Sequence, residues 1–168
     1  MEFTSTFFLV SQILVFIAII TDALSFQFKS KNVVLFFLAT SALLISLHYF
    51  FLLEIVAGII FLISFVAYVV ATKSSSRNWI YFFILLVIIP FYFLYSSWTD
   101  IVVFIGTCIA IIARFQKKDK RLREFMMIAT SIIIFYNFLI FSPGGILITS
   151  IFLISNLVGY YRYYLRKG

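Results

Sequence analysis

Charged side chains are scarce in this sequence. Only 11% of its 168 residues are Asp, Glu, Lys or Arg, whereas 64% are hydrophobic. A soluble domain has roughly 25% charged residues, and a chain this apolar cannot hide its apolar surface inside itself. The scarcity excludes a soluble enzyme, a receptor with a sizeable extracellular domain and a catalytic domain tethered to a membrane. Whatever this protein does takes place inside a membrane.

Cysteine and histidine each occur once, as Cys108 and His48. A single cysteine excludes an internal disulfide and metal sites built from several thiolates. A single histidine excludes the HExxH zinc motif. No two acids lie together in an apolar segment, and no serine stands in a motif that would pair it with His48. We therefore expect no catalytic residue, no metal and no cofactor, and predict that the protein is not an enzyme.

Long apolar runs fill the sequence instead, and breaks between them indicate seven transmembrane helices, each needing about 20 apolar residues. The predicted spans are 4–25, 33–53, 55–72, 79–95, 98–113, 124–141 and 145–161. The weakest break is Glu54, but residues 33–72 would extend over about twice the roughly 30 Å hydrocarbon core, so they must turn back. The first run lacks a basic region before it and a cleavage site after it, so we expect a mature first helix.

The positive charges predict the orientation. All 13 Lys and Arg residues lie in the first, third and fifth connections or at the C-terminal end. Because Lys and Arg in short loops mark the cytoplasmic side, we expect the N-terminus outside and the C-terminus inside. Orientation also explains the net charge of +7, so nucleic acid is not an expected partner, whereas membrane lipid is, through anionic head groups at the basic connections.

Three sequence matches indicate an internal repeat. They pair residues 60–64 with 151–155, 39–41 with 129–131 and 48–51 with 136–139, at offsets of 91, 90 and 88 residues. The predicted fold is an all-α membrane protein with a 3+1+3 parallel repeat. Residues 1–72 form the first three-helix bundle, 73–97 an inverting linker helix with Pro90, and 98–168 the second bundle. Such a repeat, the organisation of SWEET transporters, places a solute between the bundles near mid-membrane.

Polar residues within the apolar runs are the candidates for binding a solute. The predicted substrate-binding residues are Asn156, Ser64, Thr107, Thr130, Gln12, Asn137 and His48. For the hydroxyl residues the alternative is a bond back to their own helix or close helix packing. For Asn156 the alternative to solute binding is a hydrogen bond between helices. For His48 and Asn137 the alternative is a place at the membrane interface. Asp22 lies near the cytoplasmic end of the first span, where we expect it to reach the interface or to pair with Lys29 or Lys31.

Several of these residues resemble a known family. The C-terminal set is Thr130, Asn137-Phe138, Gly144-Gly145, Phe152-Leu153, Asn156 and Arg162, and the earlier set is Gln12, residues 48–52, Ala57-Gly58 and Gly106-Thr107. Together they resemble the YgjV family of bacterial inner membrane proteins over about Gln12 to Arg162. The sequence departs from that pattern at Ser64, Val103 and Tyr136, where the family has asparagine, proline and histidine.

The resemblance implies the inner membrane and the seven-helix architecture of SWEET, PQ-loop and PnuC-like proteins, in which an asparagine placed like Asn156 faces the solute. Our leading hypothesis is a small-solute transporter or facilitator, which needs no proton relay because no acid lies near mid-depth. The solute itself is unknown. The alternative is a non-transporting membrane protein that binds lipid or a partner through its 23 Phe, and a homo-oligomer is possible. A water-accessible cavity that reaches Asn156 would favour transport.

Overall fold

The structure is a computed structural model that describes residues 2–51, 55–95, 97–141 and 143–166, and the described chain is helical, with no strand. Glu54, the weakest predicted break, lies outside these residues. The helices are α1 (Glu2–Ser25), α2 (Lys31–Phe51), α3 (Ile55–Lys73), α4 (Arg77–Leu94), α5 (Trp98–Arg114), α6 (Asp119–Leu139) and α7 (Pro143–Tyr160). A π-helical turn, Tyr161–Leu165, continues α7.

Four helical segments in the described chain are long and apolar enough to cross a membrane. They are Phe7–Ser25, Lys31–Phe51, Asp119–Leu139 and Gly145–Leu165. Gly58–Lys73 and Arg77–Phe93 are shorter apolar segments. The prediction of an all-helical membrane protein is therefore confirmed at this level.

Local sequence signals explain where the helices begin. The Ser97 side chain accepts a hydrogen bond from the first turn of α5, and Asp100 Oδ2 accepts one from Ser97 N at 2.9 Å, which completes a capping box. α6 begins at Asp119, five residues before the predicted span, because an acid in the first turn pairs with Arg123 one turn later. α7 is described from Pro143 onward, two residues before the start of the predicted span at Gly145.

Packing arranges six of the helices around a common centre. α2 contacts both α1 and α3, and α6 contacts both α5 and α7. The two helix triplets meet where α1 contacts α7 and where α3 contacts α5, and we call these two places the α1/α7 interface and the α3/α5 interface. α4 lies beside α3 and α5. Successive contacts therefore lead around all six helices, with α4 outside.

The four basic segments of the sequence come together at one end of this arrangement. Lys31 Nζ donates to Ser75 Oγ at 2.8 Å, which joins the first and third connections. The Tyr164 hydroxyl donates to Asp119 Oδ2 at 2.6 Å, which joins the C-terminal segment to the fifth connection. We call this end the basic end.

Candidate functional site

A cavity of about 270 Å3 lies between the two helix triplets. All six helices of the triplets contribute to its lining, and α4 does not. The lining residues are Asp22, Leu38, Ser41, Ala42, Ile45, Phe61, Ser64, Tyr68, Ala110, Arg114, Met126, Ala129, Thr130, Ile133, Ile148, Thr149 and Phe152. We call this space the central cavity. An apolar wall with a few polar groups is typical of sites that bind small molecules.

Helical spacing explains why these side chains share one cavity. On α2 the lining residues occupy positions 38, 41, 42 and 45, and on α6 they occupy 126, 129, 130 and 133. Both sets follow the i, i+3, i+4, i+7 pattern of a single helix face. The centre of each triplet therefore turns one continuous face toward the cavity.

Two of the seven predicted site residues, Ser64 and Thr130, line the central cavity. Thr107 lies at a second cavity of about 360 Å3, formed mainly by α4 and α5. The remaining four, Asn156, Gln12, Asn137 and His48, line neither cavity. The structure therefore brings together only part of the predicted set.

Asn156 is fully buried and bonds between helices. Its Nδ2 donates to the Arg123 backbone oxygen at 3.0 Å, and its Oδ1 is buried without a hydrogen-bond partner. A central cavity is present, but Asn156 is not among its lining residues, so the cavity reaching Asn156 that would favour transport is not observed.

The other three predicted residues lie away from the central cavity. Gln12 is exposed on α1 and its Nε2 donates to Ser11 Oγ at 3.3 Å. His48 Nδ1 lies 2.8 Å from the Ser11 backbone oxygen, so it links α2 to α1. Asn137 is buried on α6.

The expected pairing of Asp22 with Lys29 or Lys31 is not observed among the described residues. Asp22 lines the central cavity, whereas Lys31 bonds to Ser75. The two salt bridges in the described chain, Arg121–Glu124 and Arg123–Asp119, do not include Asp22. The central cavity therefore contains a carboxylate that comes from the last turn of α1.

Arg114 is a cavity residue that sequence reasoning missed. It ends α5 and is only 8% exposed, with its Nε buried and without a hydrogen-bond partner. Its guanidinium carbon lies 4.2 Å from the centre of the Tyr68 ring on α3, which is a cation–π contact across the α3/α5 interface. Ala110, one turn earlier on the same face of α5, lines the same cavity.

Hydroxyl groups around the cavity already bond to backbone oxygens. Thr130 Oγ1 donates to the Met126 oxygen at 2.7 Å, and Thr149 Oγ1 to the Gly145 oxygen at 2.6 Å. Ser41 Oγ lies 3.3 Å from the Ala18 oxygen on α1 and also forms a hydrogen bond with the Asp22 side chain. With their protons engaged, these hydroxyls face a solute mainly as acceptors.

A dense polar network closes the α1/α7 interface at the basic end. Arg123 on α6 is 0% exposed and donates to Asp119 Oδ2 and to the Phe26 and Phe28 backbone oxygens. The Tyr163 hydroxyl donates to the Gln27 oxygen, and Gln27 Nε2 donates to Ser155 Oγ at 3.0 Å. We call this set of contacts the Arg123 network.

Comparison with known proteins agrees with the apolar helices. The sequence profile of the Imp-YgjV family, whose description is bacterial inner membrane protein, matches residues 9–167. The chain belongs to this family. Its location is therefore the bacterial inner membrane. No curated protein and no solved structure shows significant similarity to the chain.

The three departures from the YgjV pattern all lie at cavities. Ser64 lines the central cavity, and Val103 and Tyr136 line the second cavity beside Thr107.

Proposed function

We propose that this inner membrane protein is a small-solute transporter or facilitator whose solute binds in the central cavity. The supporting observation is that three helices before α4 and three after it all contribute side chains to one cavity. A site shared by two groups of helices opens to either side of the membrane when one group rocks against the other.

Seven spans, with the N-terminus outside and the C-terminus in the cytoplasm, are part of this proposal. Four segments already meet the criteria of length and hydropathy, and α3 and α4 contain shorter apolar segments. The 17 residues of α5 extend over about 26 Å, close to the roughly 30 Å hydrocarbon core. The positive-inside rule assigns the basic end to the cytoplasm.

The helix bounds support the 3+1+3 repeat. α2 begins at Lys31 and α6 at Asp119, which are 88 positions apart. This is the offset of the third sequence match, 48–51 with 136–139, and not the 90 or 91 of the other two.

The lining of the central cavity follows the same offset. Seven pairs of lining residues are 88 positions apart: Asp22 and Ala110, Leu38 and Met126, Ser41 and Ala129, Ala42 and Thr130, Ile45 and Ile133, Phe61 and Thr149, and Ser64 and Phe152. Tyr68, Arg114 and Ile148 have no lining partner at this offset. Equivalent faces of the two triplets thus turn toward the cavity, as expected for bundles related by an axis along the membrane normal.

We propose that transport follows the solute's own gradient. Asp22 is the one carboxylate among the lining residues, so it is the group that a coupled proton would have to use. Protein reconstituted in proteoliposomes at neutral pH should move solute without acidifying the lumen. Solute-dependent acidification would contradict a facilitator and would assign a coupling role to Asp22.

A second candidate is a non-transporting membrane protein that binds lipid or a partner, including a second copy of the chain. The observation in its favour is the aromatic surface of α4, where Tyr81, Tyr92 and Phe93 are 68%, 77% and 77% exposed. Aromatic side chains are also frequent where a helix meets the membrane interface. This candidate does not need the central cavity.

The deciding experiment fills the central cavity. Metabolite profiles would be compared between cells that lack the protein and cells that contain wild type, Ala129→Phe or Ser64→Phe at equal membrane levels. Both substitutions add a ring at lining positions, so both should give the profile of cells without the protein. The control Val66→Phe lies on α3 at a side chain that is 45% exposed, and it should match wild type.

Two results would contradict transport through this cavity. One is that the filling variants keep the wild-type profile although they are present in the membrane. The other is that removal of the protein leaves every metabolite unchanged. Either result would favour the second candidate.

A further inference from the structure

The central cavity contains one positive and one negative side chain that do not pair with each other. Asp22 comes from α1 and Arg114 from α5, and the other lining residues carry no charge. Both salt bridges in the part of the chain that the structure describes belong to α6, and neither includes these two residues. The cavity is therefore polarised, with separate anionic and cationic groups in one space.

Arg114 has unused hydrogen-bonding capacity. A guanidinium has five N–H donors, and the Arg114 Nε is buried without a partner in a side chain that is only 8% exposed. The Tyr68 side chain, whose ring centre lies 4.2 Å from the guanidinium carbon, contacts one face of the cation and hydrogen-bonds to it, which leaves the Nε donor unmatched. Because an unmatched buried arginine is costly, a ligand that accepts hydrogen bonds from Arg114 would be stabilised in this cavity.

The geometry points to a small zwitterion as the solute. A guanidinium binds a carboxylate through two parallel N–H donors, and the Asp22 carboxylate accepts from an ammonium group. The apolar remainder of the solute would contact Phe61, Phe152 and Ile133. A solute with a single charge would leave Asp22 or Arg114 uncompensated in the cavity, which is the costly outcome.

The size of the cavity restricts the solute further. About 270 Å3 lies just below the usual range for ligand pockets, roughly 300–1,000 Å3. The solute is therefore of the size of a single amino acid and not of a peptide or a nucleotide. This inference rests on the proposed function only in calling the ligand a transported solute, since binding itself is measured without transport.

Binding to the purified full-length protein in nanodiscs tests the charge pattern. L-leucine and L-phenylalanine are the zwitterionic probes. For leucine, 4-methylpentanoate lacks the ammonium group and 3-methylbutylamine lacks the carboxylate. At about 10 mM, a probe with a Kd of about 1 mM would come close to saturation and would raise the unfolding temperature. Leucine should bind at least about tenfold more tightly than either analogue.

Two variants assign each charge to its side chain. Arg114→Met should remove the preference for leucine over 3-methylbutylamine, because the carboxylate has lost its partner. Asp22→Asn should remove the preference for leucine over 4-methylpentanoate. The control is Arg121→Met, whose side chain is 66% exposed at the basic end, and it should retain both preferences. Unfolding curves recorded without ligand check that each variant is folded.

The outcomes separate this inference from the proposed function. If neither zwitterion binds wild type, or if an analogue binds as tightly as leucine, the zwitterion site is wrong even where Ala129→Phe alters metabolites. If leucine binds with the expected charge pattern and is not taken up by proteoliposomes, transport is wrong and the zwitterion site stands.

Discussion

Two buried arginines occupy the two interfaces between the helix triplets, and their surroundings differ. At the α1/α7 interface, Arg123 is fully buried and donates to Asp119 and to two backbone oxygens. At the α3/α5 interface, Arg114 is nearly as buried and contacts the Tyr68 side chain, but its Nε has no hydrogen-bond partner. One arginine has its donors matched within the protein, and the other faces a cavity.

This difference separates a structural charge from a charge kept available for a ligand. Removing one partner of a buried, hydrogen-bonded ion pair costs several kcal/mol, whereas replacing an unmatched buried charge by an apolar group is often neutral or favourable. The surroundings of Arg123 are also closely packed. A Cβ added at Gly159 would overlap the Phe26 backbone oxygen and Arg123 Nη1, so the chain is closely packed around Gly159.

The proposed repeat makes the comparison sharper. At the offset of 88 residues, Arg114 corresponds to Phe26, and Tyr68 corresponds to Asn156. Phe26 and Asn156 both contact Arg123, whereas Arg114 and Tyr68 contact each other. Equivalent positions of the two interfaces therefore make different contacts. An asymmetric pair of interfaces would let the α1/α7 side hold the two bundles together while the α3/α5 side binds solute.

The largest effect should follow from Arg123→Ala. The substitution leaves Asp119, whose side chain is 9% exposed, without its cation and removes the donor from two backbone oxygens. The free energy of unfolding should fall by about 3–5 kcal/mol, measured by denaturant titration in detergent micelles. Arg121→Ala, at an exposed side chain, should change it by less than about 0.5 kcal/mol. If the two substitutions lowered the free energy of unfolding equally, Arg123 would not be a structural residue.

An intermediate effect should follow from Asn156→Ala. The Asn156 amide donates to the Arg123 backbone oxygen, and loss of one buried hydrogen bond typically costs about 1 kcal/mol. Because Asn156 does not line the central cavity, the preference for leucine over its singly charged analogues should be retained. Gln12→Ala, at an exposed position, is the control for stability. If a folded Asn156→Ala protein no longer bound leucine, Asn156 would be a solute contact after all.

Sequence reasoning found the helices better than it found the site. Apolar runs and their breaks located all seven helices because each run must be long enough to span, and Ser97 and Asp100 mark the start of α5 by a local capping pattern. Ser64 and Thr130 were found because hydroxyls stand out in an apolar run. Arg114 was missed because a basic residue next to a break is assigned to the connection between two helices. Its burial depends on the packing of α5 against Tyr68 on α3, which the sequence does not show.

The smallest effect on stability should come from Arg114→Met, which is the sharpest test of the comparison. Arg114 has no carboxylate partner in the described chain, so methionine should change the free energy of unfolding by less than about 1 kcal/mol in either direction. The loss of the Tyr68 contact, about 1–2 kcal/mol when desolvated, is offset because the guanidinium no longer has to be buried. A fall as large as that of Arg123→Ala would mean that both arginines are structural and that the cavity has no free cation for a solute. An unchanged unfolding curve together with lost discrimination between leucine and 3-methylbutylamine would separate the two arginines by function, since a purely structural residue cannot give that pair of results.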